Sequence, residues 1–261
     1  MLGRKTLIGL SVLCALLVSA FAAQGASALG TTAHTCKEVN QGTEGAKTWK
    51  DKHCKEEGVG ANGAFKHVLI TNNTKTEIIG DDLNTAGEHT GAILKSTVAG
   101  SAIELVATSV SGSGSMTNTE SGGEMIASGE GKLKYSGVTE KLLGCKVTGL
   151  PGGAGVVETK QLFASTAGVG DGLKFSPKEG TVFAEFELTG CIVGPITIKV
   201  VGSVTGTPEG TTTRTVHNTV TAAKTLRLQS AAGPVAGIAG ALTISGRANS
   251  TEAYTGLSVT T

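Results

Sequence analysis

Residues 173–188 read LKFSPKEGTVFAEFEL, and the spacing of their apolar residues decides the fold class. Leu173 and Phe175, then Val182, Ala184, Phe186 and Leu188, recur at every second position. That period is the pattern of a strand with one face in a core and the other in water. Between the two runs, Ser176, Pro177, Lys178, Glu179 and Gly180 carry turn chemistry, because Pro presets φ and Gly accepts a positive one. The stretch predicts a hairpin that presents Glu185 and Glu187 on its solvent face.

The same alternation recurs outward from this point. IELVATSV, residues 103–110, places Ile103, Leu105 and Ala107 on one face. ITIKVVGSVTG, residues 196–206, does so with Ile196, Ile198 and Val200, and Gly202 then predicts a bulge that re-aims the remainder of the run. AILKSTV (92–98), GKLKYSGV (131–138), KTLRLQ (224–229), GALTISG (240–246) and AYTGLSVT (253–260) add further runs. No stretch carries a 3.6-residue apolar stripe over three turns. Roughly ten or more short antiparallel strands predict an all-β fold, either a β-sandwich or an open β-barrel.

The first residues place Arg4 and Lys5 before an apolar run from Leu7 to Ala23, followed by the small residues Ala26, Ser27 and Ala28. This is the layout of a secretory signal peptide over 1–28, cut after Ala28. No later segment approaches the roughly 20 apolar residues that a membrane-spanning helix needs. The expected location is secreted, extracellular or at the cell envelope. Residues 29–64 are polar and glycine-punctuated, with one Trp and few aliphatics, so they predict an N-terminal flap anchored by Trp49. Residues 65–261 form the β-rich main domain.

Removing Arg4 and Lys5 from the 22 Lys and Arg leaves 20 against 21 Asp and Glu. The basic residues are scattered, which argues against nucleic acid as a partner. The 261 residues include 39 glycines and only nine aromatics, a composition that lacks the stacking platforms of a typical carbohydrate-binding face. Cys14 leaves with the leader, and Cys36, Cys54, Cys145 and Cys191 remain. Four cysteines in an exported chain allow three pairings. Proximity favours Cys36 with Cys54, closing the flap, and Cys145 with Cys191. His34 and His53 lie beside the first pair, but no C-x-x-C or H-x-x-x-H spacing supports a zinc cluster.

Five other patterns bear on chemistry. GVGANG, residues 58–63, fits the phosphate-cradling G-x-G-x-x-G but comes after a charged segment and precedes a strand, so it is expected to be a turn. In the segment beginning DDLNTAGEH, Asp82, Asn84 and Glu88 are candidate ligands of a calcium loop, with Ala86 and Ile93 where two further ligands belong. The histidines His34, His53, His67, His89 and His217 stand in no nucleophile or metalloprotease motif. Glu185 and Glu187, about 7 Å apart on one strand face, overlap the spacing of an inverting glycosidase and equally that of any wet strand. Asn72-Asn73-Thr74 and Asn249-Ser250-Thr251 match N-glycosylation acceptors. No cofactor is expected.

With these residues laid out, the chain resembles the small secreted proteins of unassigned function that occur as sets of related copies in some actinobacterial genomes. The resemblance rests on HTCKEVNQGTEGAKTWKDKHC (34–54), KFSPKEGTVFAEFEL (174–188), IKVVGSVTG (198–206) and STEAYTGLSV (250–259). It implies an exported, cysteine-stapled β-domain without a catalytic role. Glu187 stands where such chains often carry a cysteine, and Ala107 where they often carry another. The expected function is non-enzymatic binding, adhesion or coating at the cell surface, with polysaccharide a candidate contact. The alternatives are an extracellular polysaccharide hydrolase and a barrel that holds a small apolar ligand.

Overall fold

A computed structural model describes residues 32–38, 49–52, 54, 58, 63–83, 86–98, 100–166, 173–191, 194–208, 214–217, 227–228, 237–247 and 255–260. The expected leader, His53, Asn84, residues 249–251 and most of GVGANG lie outside the described residues. Those described contain strands and no helix. Along the chain they are β1 (Thr32–Glu38), β2 (Phe65–Leu69), β3 (Thr76–Asp81), β4 (Ala92–Val98), β5 (Ser101–Ala107), β6 (Ser109–Ser121) and β7 (Glu124–Ser136). Next come β8 (Thr139–Glu140), β9 (Lys146–Gly149), β10 (Gly153–Ala154), β11 (Val156–Glu158), β12 (Leu162–Ser165), β13 (Leu173–Pro177) and β14 (Val182–Thr189). The last are β15 (Ile196–Val201), β16 (Val204–Pro208), β17 (Arg214–His217), β18 (Arg227–Leu228), β19 (Gly237–Arg247) and β20 (Thr255–Thr260).

Of the two expected architectures the pairings select the barrel, closed on itself where an open one is expected. Thr243 of β19 faces Asp81 of β3 across one edge and Arg214 of β17 across the other. The order β3-β6-β7-β12-β13-β16-β17-β19 therefore returns to β3 and closes an antiparallel ring of eight strands. From β19 a branch leads through β20 to β1 and β2. A second sheet, β10-β9-β14-β15-β18, is separate in its pairing but shares one apolar core with the ring.

Glycine composition makes this closure physically accessible. Across β3, β6, β7 and β12 one inward row reads Ile78, Gly114, Gly131, Leu162, and the next reads Thr76, Met116, Gly129, Ala164. Large side chains project into space that the glycines leave empty, which is how a narrow barrel fills its interior. A Cβ at Gly114 would stand 2.1 Å from the Glu130 carbonyl oxygen, so no other residue fits this bend. Ile78, Met116, Leu133, Leu162, Leu173 and Phe175 leave an apolar cavity of only about 50 Å³ among them.

Two buried polar groups fasten the ring to its surroundings. Asn118, fully buried in β6, accepts from the Ala33 N–H at 2.8 Å and donates to the carbonyls of Ala33 and Ile70 at 2.9 and 2.8 Å. It ties the β1–β2 hairpin over one end of the β6–β7 ribbon. Glu140 is buried beside the second sheet, and its carboxylate accepts from the N–H groups of Leu142 (2.8 Å), Leu143 (2.6 Å), Glu104 (3.4 Å) and Cys145 (3.5 Å). Burial pushes this carboxyl upward, and the four N–H donors outweigh it and hold Glu140 below the usual carboxylate range.

The hairpin expected over 173–188 does not form. Both strands and the turn are present, with Gly180 at φ 65°, but β13 pairs with β12 and β16 while β14 pairs with β9 and β15. The turn hands the chain from the ring to the second sheet, held by the Lys178 N–H donating to the Gln161 carbonyl at 2.8 Å. Gly202, expected at a bulge, makes the return crossing from β15 to β16 at φ 105°. The bulge lies instead in β14 between Val182 and Ala184, which buries Phe183 and Ala184 side by side.

Candidate functional site

Cys36–Cys54 and Cys145–Cys191 are both disulfides, with Cα separations of 5.8 and 4.8 Å. They fit an oxidising compartment outside the cytoplasm. Among the described residues no helix is long and apolar enough to cross a membrane.

A polar surface lies around Glu185. Phe186 and Leu188 point into the core at 1% exposure each, which turns Glu185, Glu187 and Thr189 outward. Register then builds rows across the sheet. Thr148, Glu187 and Thr197 form one, Lys199 stands opposite Glu185, and Lys146 opposite Thr189. Each oxygen of Glu185 already faces a lysine, Lys160 and Lys199, both at 3.8 Å. A groove of about 440 Å³ opens alongside, lined by Lys160, Gln161, Lys178, Glu179, Thr181 and Val182. The Lys160 N–H bonded to the Phe183 carbonyl at 2.8 Å fixes one wall, and Lys178 paired with Glu130 at 2.9 Å stiffens the other. The hydrogen bond from Lys178 holds the Glu130 carboxyl below its ordinary value.

This surface offers ammonium, carboxylate and hydroxyl groups in fixed rows, suited to hydrogen bonding with a polar partner. Acid–base catalysis by the pair Glu185 and Glu187 needs one carboxyl to carry a transferable proton. Both oxygens of Glu185 instead face lysine ammonium groups, an arrangement that serves binding. Sequence alone reveals neither Lys160 nor Lys199 as its neighbours, because they come from other segments that meet it only in the fold.

The calcium-loop candidates fall in the segment between β3 and β4. Asp82 is buried, and its Oδ1 meets His89 Nδ1 at 2.5 Å while its Oδ2 accepts from the Gly91 N–H at 2.6 Å. Both oxygens are thus engaged within the chain. Glu88 is exposed. Among the described residues no three His, Cys, Asp or Glu side chains converge on one point. His89 itself is oriented by a buried carboxylate, a pairing without a signature in the sequence.

A third cluster lies under the N-terminal disulfide. Trp49 is buried with Cys36 and Cys54, and its backbone bridges Phe65 with hydrogen bonds of 2.8 and 3.0 Å. Its ring meets His67 edge-on, 4.2 Å between centroids. No family model, curated protein or solved structure matches this chain, so these surfaces alone carry the functional evidence.

Proposed function

We propose that this protein is a non-enzymatic binding domain of the outer cell surface or its surroundings. It contacts a polar polymer, such as an envelope polysaccharide, through the outer face of the second sheet. The observation that carries this reading is the groove lined by Lys160 and Lys178 beside the Glu185 and Glu187 rows. Alternating fixed donors and acceptors recognise repeated hydroxyl and acidic groups without stacking, which accords with the scarcity of aromatics. The described part of the barrel interior gives no comparable volume, because ligand pockets run to about 300–1,000 Å³.

Sedimentation with insoluble envelope polysaccharide tests the proposal. Binding is expected to saturate and to weaken about tenfold, equal to about 1.4 kcal/mol, in Lys160→Ala/Lys178→Ala. Unchanged binding in that variant overturns the assignment of the face. Release of reducing ends that disappears in Glu185→Ala or Glu187→Ala replaces the binding reading with a hydrolase.

A further inference from the structure

The geometry points to a divalent transition-metal site between His34 and His67. The two residues are 33 positions apart, and the antiparallel register of β1 and β2 sets them diagonally on one sheet face. His34 lies opposite Leu69, and Cys36 opposite His67. Their ring centroids are 6.4 Å apart, with planes at 83°. A metal held by two imidazoles at 2.0–2.1 Å at right or tetrahedral angles sets the ring centres about 4.5–5 Å apart, a closure of about 1–2 Å. Rotation of the two side chains supplies that much.

The surroundings favour a metal over a structural role for the pair. His34 Nδ1 and His67 Nε2 are both buried, and Nδ1 of His34 has no hydrogen-bond partner. A buried ring nitrogen without a partner is costly in a rigid sheet, and a metal ion satisfies it. Burial holds both imidazoles below their ordinary range, and the Thr32 backbone offsets part of this at His34. They are therefore in the neutral, ligating form at neutral pH. The Cys36–Cys54 disulfide removes both nearby thiolates from competition and fixes the strand that carries His34. Water completes the coordination. Two imidazoles with open positions bind Cu(II) ahead of Ni(II) and Zn(II).

Trp49, the single tryptophan of the chain, reports on the site because its ring touches that of His67. Titrating the purified, disulfide-bonded protein with Cu(II) at neutral pH is expected to quench Trp49 emission with 1:1 saturation. Electron paramagnetic resonance should show two nitrogen ligands. His34→Gln and His67→Gln should each weaken binding about tenfold or more. His89→Gln, in a different loop, should leave it unchanged. His34→Gln lies one side chain away from the Trp49 contact, so retained far-ultraviolet dichroism in that variant separates lost ligation from lost folding. Quenching that never saturates, or a nitrogen signal that survives both β1–β2 variants, overturns the inference.

Discussion

The β6–β7 ribbon and the β14–β15 ribbon share the same alternation and end in different architectures. Inward positions of the first include Gly112, Gly114, Gly129 and Gly131, and its strands enter a closed ring. Inward positions of the second are Phe186, Leu188, Ile198 and Val200, and its strands stay in a five-stranded sheet that is not closed. In the ring, the backbone carbonyls of Ser113, Ser115 and Glu130 press into the space a Cβ would need. Alternation assigns the inner face, and side-chain volume on that face sets how tightly the strands can bend.

Filling one of these glycine positions should break the comparison outright. Gly114→Val meets backbone at 2.1 Å and is expected to cost more than about 4 kcal/mol, abolishing the cooperative thermal transition seen by near-ultraviolet dichroism. A variant that melts close to the parent would show that the ring does not depend on the close approach its glycines allow. Emptying the other region should hurt by a different route. Phe186→Ala leaves a cavity in the second sheet and should cost about 3–5 kcal/mol in denaturant unfolding.

The polar fasteners sharpen the contrast between ring and second sheet. Asn118→Leu leaves the Ala33 N–H and the carbonyls of Ala33 and Ile70 without their partner, a loss of about 3 kcal/mol, and should speed amide exchange at Ala33. Glu140→Gln, beside the second sheet, should cost about 2 kcal/mol at neutral pH. Glu140 is held below its ordinary value of 4.5, so the folded state binds fewer protons than the unfolded one as the pH falls through that range. Its contribution is complete above about pH 4.5 and disappears below it, so the parent and Glu140→Gln should converge in acid unfolding curves. Glu187→Thr, on the outer face, should change stability by less than about 0.5 kcal/mol while reducing polymer binding.

Legibility differed between fold and site for a physical reason. Ile103, Leu105 and Ala107 are buried as their spacing predicts, because strand periodicity is local. Pairing is not local. LKFSPKEGTVFAEFEL displayed both strands and the turn, yet an identical pattern serves a hairpin or a crossing between sheets. The outward direction of Glu185 was legible, but its lysine partners were not, since Lys160 reaches it from outside the stretch. Asp82 and His89 were seven residues apart in sequence and still carried no signal, because only burial of the carboxylate makes the pair specific.

By itself, the sequence determined an all-β chain, the inner and outer faces of its strands and the absence of a recognisable catalytic motif, all properties of short-range spacing. Tertiary structure decided that β19 bridges β3 and β17, that Asn118 reaches Ala33, that lysines surround Glu185 and that His34 meets His67. Each of these depends on hydrogen-bond register between distant segments. A shift of one residue would turn the same side chains to the other face.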